Sequence, residues 1–209
     1  MCVNLTVIPL TGEKKDGKFH FFEELKKILK NSRVLIKNED VIVISSKFIS
    51  NSQGRVLEIS NSKICDKAKE IAKKFNSNEN FMEIVFRESD EIIGGVAGFV
   101  MSTTDGILAP NAGIDKSNSK GTKIILYPSE PYKFSEELKR KIFLELNLHV
   151  GIIIVDSRLM PARIGTTGVA IACAGIEPTK DLRGEKDLDG NPLKVTFQAT
   201  ADNLASIAN

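Results

Sequence analysis

The sequence predicts an α+β domain, or a mixed α/β one with several antiparallel pairs. The sheets are largely antiparallel with helices packed against them. Three observations carry this. Short β-branched runs and amphipathic stretches of helical length are interspersed along the whole chain. Two of the short runs flank TTDG (103–106), the residue chemistry of a tight hairpin. At 209 residues, with no internal repeat or low-complexity tract, the chain fits one ordinary domain (1–209) able to bury a core.

Each element has its own local reason. VNLTVIP (3–9) alternates and reads as a strand, closed by a turn at Pro9 and Gly12. FHFFEELKKILKN (19–31) sets Phe22, Leu25, Ile28 and Leu29 on one helical face. EDVIVISS (39–46) reads as a buried strand ending in two serines. Residues 62–75 and 78–92 read as two helices joined by an Asn/Ser turn, the second stopped by Gly94 and Gly95. KIILYP (123–128) is a strand, and FSEELKRKIFLEL (134–146) is a helix with Ser135 as N-cap. VGIIIVD (150–156) and VAIACAG (169–175) are apolar strands separated by small and basic residues. A polar loop or hairpin (177–192), a strand (193–200) and the start of a helix, ADNLASIAN, complete the chain.

Bulk chemistry removes several function classes. A formal net charge of +2 gives no electrostatic footprint for nucleic acid or an anionic membrane. Three scattered cysteines form neither a disulfide framework nor a metal knuckle, and Cys173 within VAIACAG reads as a core residue. With only His20 and His149, a Ser-His or Cys-His catalytic pair and a His-rich zinc site are disfavoured. No run approaches the roughly 18 apolar residues of a membrane span, and the N-terminus lacks the basic region of a signal peptide. The expectation is a reduced, cytoplasmic protein without membrane or nucleic-acid partners.

Three polar clusters follow apolar strands. Ser45, Ser46 and Lys47 supply hydroxyls and an ammonium, a group able to hold phosphate, or else a solvated polar loop. PNAGIDKSN (110–118) offers Asp115 among Asn111, Lys116, Ser117 and Asn118, hard oxygen ligands for Mg²⁺ or Mn²⁺, or ordinary turn residues. Asp156 closes the most apolar strand, and a carboxylate there is costly to bury without a cation. The candidates are Arg158, Arg163 or a metal. Beyond it, Gly165, Thr166, Thr167 and Gly168 allow close approach of an anionic ligand. Asp115 and Asp156 together read as a two-carboxylate metal site, and with Lys47 and the arginines as the parts of a metal-assisted phosphoryl transfer.

The order SSKFISNSQGR, NAGIDKSN, VDSRLMPARIGTTGVAIACAG, KDLRGEKDLDGNPLKVT and ADNLASIAN resembles the coenzyme F420-0:L-glutamate ligase (γ-glutamyl ligase) family over essentially the whole chain. The resemblance implies an intertwined homodimer of α+β fold. It implies Mg²⁺ or Mn²⁺, with K⁺ as a further cation, and GTP as co-substrate. The implied reaction activates the lactyl carboxylate of F420-0 as an acyl phosphate, which the amine of L-glutamate attacks.

By the same resemblance, Asp115, Asp156 and Ser157 hold metal. Ser46, Lys47, Asn118 and the turn Leu10, Thr11, Gly12 and Glu13 meet the nucleotide. Arg163 meets the transferring phosphoryl or the substrate's acidic groups, with Asp156 the other catalytic residue. Three departures stand out. Asn51 and Ser52-Gln53 replace a Lys and an Ala-Glu, and Leu159-Met160 replace a Gly-Arg, with Arg158 a substitute charge. The family also continues past ADNLASIAN with a glycine-rich segment. The alternatives are the same amide-forming chemistry on another acidic cofactor precursor, a non-catalytic GTP/GDP-binding dimer, and a structural domain with plain Asp–Arg pairs.

Overall fold

The structure, a computed structural model, describes residues 5–13, 15, 17–59, 63–116, 123–160 and 163–209. In chain order it runs α1 (Phe21–Asn31), β1 (Val41–Ser45), α2 (Ser46–Gln53), β2 (Val56–Glu58), α3 (Asp66–Lys74) and α4 (Glu79–Glu88). β3 (Glu91–Val96), β4 (Phe99–Thr104), β5 (Ile107–Pro110), β6 (Lys123–Ile125) and α5 (Pro131–Leu146) follow. The last elements are β7 (Gly151–Leu159), β8 (Thr166–Ala174), β9 (Lys180–Asp181), β10 (Phe197–Gln198) and α6 (Thr200–Ala208).

Among the described residues four small sheets form, with orders β1-β7-β8, β3-β4-β5, β2-β6 and β10-β9. The α+β expectation holds. Among the described residues only β1 and β7 pair in parallel, from Val41 opposite Gly151 to Ser45 opposite Val155; the other ladders are antiparallel.

The run GIIIV in β7 is apolar without alternation because both of its faces are covered. Ile152 and Ile154 pack with Phe22 and Leu25 of α1 and Ile142 of α5. Ile153 and Val155 face Ala201 and Ala205 of α6. That arrangement needs a close approach at Gly168, where a Cβ would lie 2.3 Å from the Ala205 carbonyl oxygen. A second core joins Ile71 of α3, Phe81, Met82 and Val85 of α4, and Val100 of β4.

Several boundaries differ from the sequence reading. Leu5 to Pro9 form no strand and stay exposed, since no neighbouring strand pairs with them among the described residues; residues 3 and 4 lie outside those described. The polar stretch after β1 is the helix α2, closed by Gly54 in the left-handed region (φ 73°). α4 ends at Glu88, because Ser89 turns extended, and Gly94 and Gly95 sit inside β3. Gly95 is there because a Cβ would lie 2.4 Å from the Phe99 carbonyl oxygen.

The TTDG hairpin is present, with Asp105 and Gly106 both at positive φ, as a type I′ turn requires. α5 begins at Pro131, so Ser135 is no cap; it is buried and donates to the Tyr132 carbonyl at 2.7 Å. β7 continues through Asp156 to Leu159, paired with β8, so the parallel ladder stops at Val155 and Asp156 lies one residue past it, inside the strand. Of residues 193–200 only Phe197–Gln198 is strand. Cys173 is partly buried against the α6 side of the sheet, and burial raises its thiol pKa.

Candidate functional site

The parallel pairing of β1 and β7 fixes the site. Both strands reach the same edge, where Ser45 lies opposite Val155. The next residues are Ser46 and Lys47, opening α2, and Asp156 and Ser157 in β7. The first-turn N–H groups of α2 point out at this edge, and the Ser45 side chain does not cap them. A helix start of this kind is a ready seat for an anion.

The third wall is a turn held in an unusual conformation. Asn111, Ala112 and Gly113 all have positive φ (50°, 55° and 67°). Such backbone persists only where neighbours over-determine it. Here the Asn111 side-chain oxygen accepts from the Val100 N–H at 3.0 Å, and the Ala112 N–H donates to Ser102 Oγ at 2.9 Å. Gly113 presses on the Tyr127 ring, where a Cβ would come within 2.6 Å. Asp115 then exchanges both backbone hydrogen bonds with Ile125 at 2.9 Å, which fixes the backbone from which its carboxylate projects.

These walls enclose an open cavity of about 350 Å³, lined among others by Ser45, Ser46, Lys47, Asp115, Asp156, Ser157, Arg158, Leu159 and Thr166. The Lys47 ammonium is ion-paired with the Asp115 carboxylate. Asp156 accepts from Ser46 Oγ at 3.0 Å on one oxygen and from Arg158 Nε at 2.8 Å on the other. Arg158 is 5 % exposed, and its Nη1 donates to the Leu108 carbonyl of β5. Its Nη2 and the Tyr127 hydroxyl are both buried with no hydrogen-bond partner among the described residues. Burial pushes the Tyr127 phenol well above its ordinary range against the opposing charge of Arg158, so it stays protonated.

Asp115, Asp156, Ser157, Ser46 and Lys47 thus meet in one place, although they come from segments far apart in sequence. Arg163 lies exposed in the loop between β7 and β8 and is not among the described lining residues; Arg158 is. Leu10, Thr11, Gly12 and Glu13 are exposed and pack beside α1 and α2, with Gly12 against Ile28 and Phe48. Glu13 pairs with Lys27 at 3.3 Å. Asn118 lies outside the described residues. Gly168 serves helix packing rather than the cavity.

The departures at positions 51–53 are absorbed by α2. Ser52 Oγ donates to the Ile49 carbonyl at 2.7 Å, and Gln53 exchanges two hydrogen bonds with the Ser129 backbone. Sequence reading missed Tyr127 and the Leu108 carbonyl, which show themselves only through tertiary contacts.

The donor set suits a hard divalent cation. Two carboxylates and serine hydroxyls line the cavity, and no cluster of three or more His, Cys, Asp or Glu exists among the described residues. Mg²⁺ is commonly held by one or two carboxylates together with substrate phosphates rather than by an all-protein cage.

Comparison with known proteins places the chain among similar sequences. The family model described as F420-0:Gamma-glutamyl ligase matches residues 15–209. The coenzyme F420:L-glutamate ligase of Archaeoglobus fulgidus is 35% identical over 179 residues, 86% of this chain and 72% of the relative. That of Methanocaldococcus jannaschii is 37% identical over 176 residues, 83% and 70%. That of Methanopyrus kandleri is 30% identical over 202 residues, 96% and 78%. With its fold, its match over most of the chain and relatives at this level of identity, the protein belongs to the F420-0:gamma-glutamyl ligase family.

Proposed function

We propose that this protein is a GTP- and divalent-metal-dependent ligase that joins L-glutamate to the lactyl carboxylate of coenzyme F420-0. Family membership supports the ligase reading. The observation that carries the mechanism is the meeting of Asp115 and Asp156 with Lys47 and the α2 N-terminus around one cavity.

Lys47 and the first-turn N–H groups of α2 bind nucleotide phosphates, a point charge and a set of dipoles acting together. Asp115, Asp156 and Ser157 hold Mg²⁺ or Mn²⁺, which when bound draws charge from the phosphoryl oxygens. A carboxylate oxygen of the acceptor attacks the γ-phosphorus, the bond to the β-phosphate oxygen breaks, and GDP leaves. The glutamate amine, having given one proton to water, attacks the acyl carbon. The C–O bond to phosphate breaks, and inorganic phosphate leaves as the nitrogen loses a second proton.

Arg163 orients an acidic group of the substrate from the β7–β8 loop. Asn118 and Leu10 to Glu13 approach the nucleotide. The working unit is a homodimer in the cytoplasm. Leu159, apolar at the cavity wall, motivates one alternative, the same chemistry on another acidic acceptor.

The test is a turnover assay with F420-0, L-glutamate, GTP and Mg²⁺. Glutamylated F420 with stoichiometric GDP and phosphate is the expected result. Phosphate release only with a different acid moves the reading to that acceptor. Nucleotide binding without phosphate release under any acceptor makes the protein a non-catalytic GTP/GDP binder.

A further inference from the structure

The charged side chains among the described lining residues of the cavity are four, and they cancel: Lys47 and Arg158 against Asp115 and Asp156. Each carboxylate is already in contact with one of the cations. A divalent cation entering by itself therefore meets no net charge among these described lining residues, and must compete for both acids with cations that stay close by. Lys47 is 34% exposed at its side chain and can swing toward solvent. Arg158 cannot follow, since it is 5 % exposed and tied to the Leu108 carbonyl.

A cation that arrives with a polyphosphate changes the balance. The phosphate oxygens take Lys47 and the α2 N–H groups, and Asp115 is released to the metal. Resting on the GTP-and-metal reading above, we infer that metal and nucleotide bind this cavity cooperatively, each weakly alone, and that Arg158 and Lys47 enforce the coupling as built-in counter-charges. Arg158 stands two residues beyond Asp156 on the same face of β7, so it also fixes the carboxylate's direction toward the cavity. It is a positioning residue, and touches the reaction only through Asp156.

The test needs no turnover. Free Mn²⁺ is followed by its electron paramagnetic resonance signal during titration of the full chain, with and without saturating GDP. GDP is expected to tighten Mn²⁺ by about tenfold or more, and Mn²⁺ to tighten GDP by the same factor, as linkage demands. Lys47→Gln and Arg158→Gln should each bind Mn²⁺ without nucleotide several-fold more tightly than the unchanged protein, and show a smaller coupling factor. Lys47→Gln, at a part-exposed position, keeps the test decisive should Arg158→Gln fold poorly. Equal Mn²⁺ affinity with and without GDP overturns the inference and leaves the GTP-and-metal reading standing. So does bare-metal binding that is no tighter in Lys47→Gln. Absence of any Mn²⁺, GDP or ATP binding in every combination removes both.

Discussion

Glu83 and Asp156 each sit close to an arginine, and they serve different ends. Glu83 of α4 is 3% exposed and accepts from the Cys65 backbone N–H at 2.9 Å and from Arg87 Nε at 2.7 Å. Cys65 is the N-cap of α3, so Glu83 ties the start of one helix to the body of the next. Asp156 takes a serine hydroxyl and a guanidinium instead, and it faces an open cavity. The arginines differ more than the acids: Arg87 is 63% exposed at its side chain, Arg158 5%.

A backbone N–H at a helix start satisfies a carboxylate with no charge to bury. A buried arginine whose Nη2 finds no partner among the described residues is a costly way to achieve the same. The cost at Asp156 is intelligible if the carboxylate must remain reachable from the cavity.

The largest effect expected from this contrast is on turnover. Asp156→Asn should lower kcat by about 10²-fold or more, the scale of losing one group preorganised toward developing charge. Glu83→Gln should leave kcat within a factor of about two, since it touches no part of the cavity wall, while lowering the melting temperature. Steady-state phosphate release measures both. A Glu83→Gln enzyme as impaired as Asp156→Asn breaks the division into a structural and a functional acid.

The next effect is on stability. Arg158→Met leaves Asp156 without its cation and should cost about 3 kcal/mol, the range for removing one partner of a buried pair. In a chain of this size that lowers the melting temperature by roughly 6–12 °C. Arg87→Met should shift it hardly at all, because the exposed arginine is screened and the Cys65 N–H remains. Calorimetry on the two variants decides; equal shifts show that burial of the arginine is not what distinguishes the sites.

Much of this contrast was readable from sequence, but unevenly. Asp156 announces itself because it interrupts an apolar run, and Asp115 because it sits in a turn rich in Asn and Ser. Glu83 does not, since NENFMEIVFRE looks like any amphipathic helix. Lys47 was visible as a cation after a strand, but the helix that begins there was not. ISNSQ has weak helix formers, and α2 owes its order to tertiary docking through Ile49 and Gln53. The apparent strand at VNLTVIP fails for the reverse reason: its propensity is strong, yet Leu5 to Pro9 find no partner among the described residues. Arg158 rather than Arg163 lines the cavity because β7 runs on past Asp156, and the strand's two-residue period puts 156 and 158 on one face.

A smaller effect sharpens the account of Arg158. Tyr127 carries a buried hydroxyl with no partner among the described residues. Removing such a group should be neutral or stabilising, by up to about 1 kcal/mol. Tyr127→Phe is therefore expected to unfold in urea at the same or a slightly higher midpoint. A clear destabilisation means the hydroxyl is bonded, with a buried water linking it to Arg158 Nη2 the simplest bridge.

The smallest effect is in acid, and it falls on Glu83. The Cys65 backbone N–H, aided by Arg87, holds the Glu83 carboxyl below its ordinary pKa in the folded protein. A depressed folded-state value stabilises the fold above the unfolded pKa of about 4, and that contribution disappears as pH falls through the folded value. The difference in melting temperature between the unchanged protein and Glu83→Gln should then be constant from pH 8 down to about 5 and shrink below 4. A difference that persists undiminished at about pH 3 means that Glu83 holds α3 by packing rather than by charge, and the contrast with Asp156 then rests on the cavity alone.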